Sequence, residues 1–406
     1  MNPVPRIALV CSGGGARGAY EAGVIRYLRE ELKTNVRFDV LCGTSVGAMT
    51  ACFLATTMDR PAEQGRELAE LWTSLSLERV FKVEGEDLFT ITRKMWQAAR
   101  SNDRPGGWRI YDVLHPEALE EMVRTRTVWP RISANLAKGA FSALSVTATR
   151  INDGRAVVFV QRKEGGLPEW SRDPNTEARE AIIGPEHALA SGAIPLLFRS
   201  VRIGDEFFCD GFIRQNTPLS PALRLGADRV LILTLKHKPA TPPPFRPMRA
   251  APSTPLLVGK VLNALMLDHT EYDLDRLRRF NGMLAAGKQA FGDDFLRRMN
   301  EAIVQLRGQP YRPVRELVVR PSRDLAEVAA DLLRKRKMPV DEEGALPAPA
   351  RWLHRFTQSQ LFTQADLASY LLFDSQYASS LIQMAMEDSH ARRDQLRSFF
   401  DPESPG

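Results

Sequence analysis

Three short segments hold residue types that could do chemistry. The first is Gly43-Thr44-Ser45-Val46-Gly47, a G-x-S-x-G between the strand-like run FDVLC and an uncharged apolar stretch. A serine at such a strand–turn–helix elbow exposes its hydroxyl. The flanking glycines tolerate a strained backbone, and the helix N-terminus favours negative charge developing above it. The same residues also fit an ordinary Gly-rich turn with Ser45 as N-cap. The second segment is Gly13-Gly14-Gly15-Ala16-Arg17-Gly18. Its glycines leave backbone N–H groups open to an anion, and the helix that follows adds its positive end. That anion could be a phosphate or the oxyanion of an acyl-transfer intermediate. No Gly-Lys-Ser/Thr follows, so this is not a Walker loop, but the six residues match G-x-G-x-x-G, a weak dinucleotide signal. Arg17 reads as support for the loop or as a helix-start residue paired with a carboxylate. The third segment is Asp210-Gly211 after the run FFC. It puts a carboxylate at the carboxyl end of a strand, where open α/β folds gather their active sites, although an Asp-Gly turn is the plain alternative.

A Ser-His-Asp triad needs an imidazole. The six histidines are His115, His187, His237, His269, His354 and His390. None sits in an obvious strand-end loop after a carboxylate. His187 comes nearest, and a lone histidine beside an apolar segment reads as a packed or capping residue. A carboxylate can serve as base by itself if it lies within about 3 Å of the hydroxyl. Partial desolvation would raise its pKa toward the working range.

These residues need a scaffold. Residues 6–10 (RIALV) read as a buried strand, and residues 17–33 carry Tyr20, Val24, Ile25, Leu28 and Leu32 at helical spacing. Residues 38–42 read as a second strand and 46–58 as a helix apolar all round. Two strand–turn–helix units in so short a span predict an α/β fold with a parallel, doubly wound sheet. Helices are expected over 62–77, 117–126, 185–193 and 219–225. Strands are expected over 141–149 and 156–161, paired around Asn152-Asp153-Gly154, and over 206–209 and 229–235. Residues 239–255 contain seven prolines in 17 residues and read as a semi-rigid or disordered linker. Beyond it the chain reads as helical over 256–281, 295–306, 325–337 and 365–400, broken by a low-order stretch at 339–350. The expected organisation is a catalytic domain over 1–238, a linker over 239–255, and a helical region over 256–406 that completes or extends the domain.

The bulk numbers exclude some classes. Fifty-five Lys and Arg against 49 Asp and Glu give a net charge of +6. That mild excess suits an anionic membrane surface. It is not a nucleic-acid footprint, because the only dense basic run, LLRKRKM around Lys335, lacks interleaved aromatics and reads as a solvated helix end. Cys11, Cys42, Cys52 and Cys209 form no CxxC pair and no Cys/His set with metal spacing, so they read as buried free thiols of a reducing compartment. The N-terminus lacks the basic and long apolar regions of a signal peptide. Residues 40–58 carry no charge, but their threonines and glycines make them a buried elbow rather than a membrane span.

Taken together the motifs resemble the patatin-like phospholipases. GGGARG, then GTSVG, then DG is that family's order. Other stretches are similar to its bacterial members: LAELWTSLSLERVF, ASGAIPLLF, RQNTPLSPALRLGADRVLILTL, LDHTEYDLDRLRRFN and SYLLFDSQYASSLIQMAMEDS. The resemblance covers most of the chain. It implies a three-layer fold around a mostly parallel sheet, with a helical C-terminal extension. It implies a serine lipid acyl hydrolase of the phospholipase A or lysophospholipase type, with Ser45 as nucleophile and Asp210 as base. Gly13, Gly14, Gly15 and Val46 would form the oxyanion hole, supported by Arg17, Gly18, Gly43, Gly47 and Gly211. No metal or organic cofactor is called for. The partner would be a lipid at a membrane surface, not a nucleic acid, and the protein would be cytoplasmic with peripheral membrane contact. One departure stands out: Phe212 occupies the place after Asp-Gly where the family carries Gly or Ala, so it is expected to narrow the site. A binding or regulatory protein with an occluded site is the rival reading that Phe212 favours.

Overall fold

The computed structural model describes residues 4–76, 117–168, 170, 174–195, 198–239, 241, 254–307, 310–335 and 369–404. Its centre is a sheet of nine strands: β1 (Ile7–Cys11), β2 (Val40–Thr44), β3 (Ala143–Arg150), β4 (Ala156–Arg162), β5 (Thr176–Glu180), β6 (Val201–Ile203), β7 (Glu206–Asp210), β8 (Arg229–Leu233) and β9 (Arg315–Val319). The main path runs β5-β4-β3-β2-β1-β8-β9. The five strands from β3 to β9 along this path pair in parallel, while β4 and β7 pair antiparallel to β3.

β1 and β8 are buried along their whole length and, apart from Arg229 at the start of β8, are continuous apolar runs, as suits strands covered on both faces. Their side chains alternate between two cores. Leu9, Leu41, Leu231 and Leu233 face one side with α1 (Ala19–Glu30), α2 (Val46–Thr56) and α3 (Pro61–Thr73). Ala8, Val10, Val40 and Ile232 face the other with α7 (Leu219–Arg224) and α8 (Thr254–Phe291). Further helices among the described residues are α4 (Glu117–Arg126), α5 (Pro130–Ala137), α6 (Pro185–Ser191), α9 (Phe295–Arg307), α10 (Leu325–Lys335), α11 (Ser375–Ala391) and α12 (Arg393–Phe400). The result is three layers, helix–sheet–helix.

The chain beyond the Pro-rich segment is built into this core. It supplies β9 to the sheet edge, paired in register with β8 from Arg229↔Arg315 to Leu233↔Val319. Its α11 packs on α1 so closely that a Cβ at Gly23 would meet the Ile382 carbonyl oxygen at 2.4 Å. Buried Arg229 donates to the carbonyls of Phe399, Asp401 and Ser404, each at 2.6 Å, which fastens the last turn to the sheet.

β9, β5 and β6 have no counterpart in the sequence reading. RELVV and TEARE carry charges and lack a clean alternation, and each is a strand because a neighbour offers it a ladder. Of the helix expected over 365–400, residues 365–368 lie outside the described residues, 369–371 end one helix, and the rest forms two helices, Ser375–Ala391 and Arg393–Phe400, with breaks at 372–374 and at Arg392. Of the Pro-rich segment, residues 240 and 242–253 lie outside the described residues, and its last two residues open α8. The stretch 339–350 and residues 336–338 of the basic run also lie outside them. Among the described residues no helix is long and apolar enough to cross a membrane. The four cysteines are free, three buried and Cys209 partly so.

Candidate active site

The three motifs meet at the carboxyl ends of the parallel strands. β2 ends at Thr44 and the chain turns sharply into α2, leaving Ser45 at φ 56° and ψ −127°. A non-glycine residue there stores about 1–3 kcal/mol of strain, which the surrounding fold must hold in place. The flanking glycines are not the strained residues, since neither has a positive φ. They allow close approach: a Cβ on Gly47 would lie 2.3 Å from the Cys11 carbonyl oxygen, and one on Gly43 would lie 2.2 Å from the Gly47 carbonyl oxygen. The G-x-S-x-G spacing therefore lets the start of α2 sit directly on the ends of β1 and β2.

Asp210 arrives from the opposite direction. β3 pairs with β2 as far as Thr44↔Thr147, and its next residue, Ala148, pairs with Asp210 of β7. β7 thus takes the strand position that β2 vacates at the elbow. This handover brings together two residues 165 positions apart, and Ser45 Oγ donates to Asp210 Oδ2 at 2.6 Å. The second carboxylate oxygen accepts from the Phe212 N–H at 3.0 Å. Asp210 is fully buried, and burial raises its pKa from 3.8 to about 7 against the lowering effect of those two hydrogen bonds.

The glycine loop follows β1 on the near side of Ser45. It turns into a short 3-10 segment, Gly15–Gly18, that leads into α1. Gly15 has φ 55°, and a Cβ there would lie 2.3 Å from the Tyr370 carbonyl oxygen, so both conformation and space demand glycine. Arg17 is 1% exposed. Its Nε donates to Ser369 Oγ at 2.8 Å, its Nη1 donates to the Tyr370 hydroxyl at 3.1 Å, and its guanidinium stacks 3.8 Å above the Tyr370 ring. Arg17 thereby anchors the C-terminal segment that presses on the loop. Glu21, one turn into α1, is fully buried beneath it. Glu21 Oε2 accepts from Thr50 Oγ1 at 2.9 Å, and burial raises the Glu21 pKa to about 8.

Ser45 opens into a pocket whose lining includes Met49, Phe53, Leu71, Trp72, Leu371 and Phe373. Trp72 and Phe373 stack within it, 6.3 Å apart and nearly parallel. Gly15, Ser45 and Val46 contribute to the same lining, and Arg126 is its one charged residue among those described. An exposed-backbone loop, a serine hydroxyl bonded to a buried carboxylate and an apolar cavity are the parts an acyl-transfer site requires.

The sequence model of the patatin-like phospholipase family matches residues 9–223. The chain belongs to that family. It is similar to the cGAMP-activated phospholipase of Escherichia coli (strain TW11681), 24% identical over 227 residues that cover 53% of this chain and 54% of that protein. A patatin-like phospholipase domain-containing protein of Caenorhabditis elegans, ZK370.4, is 40% identical over 75 residues, 17% of this chain and 5% of the nematode protein. The chain therefore spans about half the length of the bacterial relative and a small part of the nematode one. Human GIVD cytosolic phospholipase A2 aligns in three dimensions over 98% of this chain and 62% of its own, with a TM-score of 0.42 and 12% identity.

In this patatin-like site most of the residues expected from the sequence stand together. Val46 begins α2 beside Ser45, Gly18 lies against Val46 and Trp72, and Gly211 lies against the Thr147 carbonyl. Gly13 corrects the expectation. It touches Ser45, but its N–H donates to the Asn216 carbonyl at 3.2 Å and is already used. No acceptor among the described residues takes the N–H of Gly14, Gly15 or Val46. Phe212 is a second correction. Its side chain, 1% exposed, packs with Ile194 and Tyr370 and is not part of the pocket lining. His187 has its Nδ1 accepting from the Gly184 N–H at 3.1 Å and its ring edge-on to Phe159, so it caps α6. Ser191, Tyr370 and Glu21 were not singled out from the sequence. The first two lie in ASGAIPLLF and SYLLFDSQ, stretches that resembled the family without indicating what each residue touches.

Proposed function

We propose that this protein is a serine lipid acyl hydrolase of the phospholipase A or lysophospholipase type. The observation that carries the reading is the 2.6 Å hydrogen bond from Ser45 Oγ to a buried Asp210 at the end of an apolar pocket. In this mechanism Ser45 Oγ attacks the ester carbonyl while Asp210 takes its proton. A base with a pKa near 7 is matched to that transfer at neutral pH. The oxyanion that forms meets the N–H groups of Gly14, Gly15 and Val46 and the positive end of α2. Asp210 then returns its proton to the leaving alcohol, and an acyl group remains on Ser45. A water attacks that acyl ester and gives a proton to Asp210, which passes it to Ser45 Oγ as the acyl–serine bond breaks, so the fatty acid departs and the pair is restored. Nucleophile, base and anion-binding donors all come from the chain. The acyl chain lies along Met49, Phe53 and Trp72, and burying its methylenes supplies about 0.8 kcal/mol each. The apolar pocket and the net positive charge together favour a substrate presented at an anionic lipid surface.

The test is hydrolysis of p-nitrophenyl esters and of lysophospholipids by the purified protein, with Ser45→Ala as control. Wild type should turn over both and carry a fluorophosphonate label on Ser45. Ser45→Ala should fold, lose the label, and fall by several orders of magnitude in rate. Turnover surviving in Ser45→Ala would refute the assignment.

A further inference from the structure

The strained elbow needs something to hold it, and the hydrogen bonds around Ser45 identify the group. Ser191, the last residue of α6, is fully buried. Its Oγ accepts from the backbone N–H of Ser45 at 2.8 Å and donates to the Thr147 carbonyl at 2.6 Å. Thr147 is the last residue of β3 to pair with β2, and the next residue already pairs with Asp210. The hydroxyl of Ser191 therefore sits at the point where β3 changes partner, between the nucleophile's own backbone and the strand that carries the base. Two residues further on, the Ala193 carbonyl accepts from the Asp210 N–H at 2.9 Å. Residues 191–193 thus touch the backbone of both members of the pair.

We propose that Ser191 is a positioning residue for this hydrolase, its hydroxyl holding the Ser45 elbow in its left-handed conformation and in register with Asp210. The inference rests on the function proposed above. Ser191 has one proton, which goes to Thr147, so its lone pairs are what the Ser45 N–H finds. Replacing it with alanine leaves a buried N–H and a buried carbonyl without partners. A residue with stored backbone strain relaxes when such a restraint is removed. The Ser45 hydroxyl then moves away from Asp210 and from the anion-binding N–H groups together, and a displacement of about 1 Å costs roughly 100-fold in rate. Ser191 does not line the pocket, so the acyl group still binds.

The experiment compares wild type, Ser191→Ala and Ser191→Thr, each as the whole 406-residue chain, on p-nitrophenyl butyrate, with melting temperature and the rate of fluorophosphonate labelling measured on each. Ser191→Ala should lower kcat by roughly 100-fold at unchanged KM and slow labelling by a similar factor. Ser191→Thr, which keeps the hydroxyl, should recover most of both. If the alanine variant does not fold, Ser191→Cys keeps the volume while weakening both hydrogen bonds, and it should show the same fall in kcat at constant KM. An active wild type with a fully active Ser191→Ala would overturn this inference alone. So would a loss expressed in KM only, or a folded Ser191→Thr no better than alanine. A wild type inactive on every ester would overturn the function and the positioning role with it.

Discussion

Replacing Asp210 with asparagine should abolish hydrolysis and make the protein more stable, by an amount that grows with pH. The carboxyl titrates at 3.8 in the open chain and near 7 in the fold, where burial disfavours its charge. Below pH 3.8 it is protonated in both states and the fold loses nothing. As pH rises past 3.8 the open chain releases its proton while the fold keeps it, so stability falls. Near pH 7 the fold releases it too, and the loss levels off. At about 1.36 kcal/mol per tenfold change in proton affinity, the loss is about 2 kcal/mol at pH 5 and about 4 kcal/mol at pH 8. Asparagine carries no charge, keeps an acceptor for the Phe212 N–H, and escapes both losses. With an unfolding entropy of roughly 2.1 cal/mol/K per residue, a chain of 406 residues should gain roughly 2 °C in Tm at pH 5 and 5 °C at pH 8. Thermal melts of wild type, Asp210→Asn and Ser45→Ala at the two pH values measure this directly. Ser45→Ala, which leaves the carboxylate in place, should show no such pH-dependent gain. An Asp210→Asn gain equal at both pH values would refute the argument, because the stability would not then come from the buried charge. A less stable Asp210→Asn at pH 8 would refute it more strongly.

Three other outcomes are expected. Glu21 is protonated at neutral pH and ionises as pH passes about 8, placing negative charge beneath the loop that would bind the oxyanion. Wild-type kcat/KM should therefore fall above pH 8 while Glu21→Gln holds its rate to pH 9, and an identical alkaline limb in the variant would reject that role. Phe212→Ala should cost about 3–5 kcal/mol and lower Tm by roughly 4–6 °C, with the ratio of long-chain to short-chain ester turnover unchanged. A shift in that ratio would return Phe212 to the pocket wall. His187→Ala should keep most of the esterase activity, since its imidazole caps α6 and packs on Phe159. Inactivity matching Ser45→Ala in a folded His187→Ala would mean that a histidine is the base.

Features written within a few turns of chain are legible from the residues alone. Residues 7–11 and 40–43 carry unbroken apolar runs, the composition favoured in strands buried on both faces. The helix after each run follows from 3.6-residue spacing in α1 and from the absence of charged residues on any side of α2. The elbow between them was legible because only small residues permit β1, β2 and α2 to approach so closely. The tertiary structure decided everything that depends on which strand lies beside which. β9 is a strand only because β8 offers a parallel edge, and nothing in RELVV marks it as one. The pairing of Ser45 with Asp210 depends on β3 exchanging β2 for β7 at Ala148, a register that neither motif encodes. Gly13 and Gly14 are alike in sequence, yet Asn216 takes the N–H of one and no described residue takes that of the other. Phe212 reads as an obstruction beside the base until Ile194 and Tyr370 are seen to enclose it. Periodicity and glycine chemistry act over a few residues, so they leave a local trace. Ladder register, hydrogen-bond partners and the side of a strand on which a ring packs are set by the summed burial of segments hundreds of residues apart, and no short stretch records that sum.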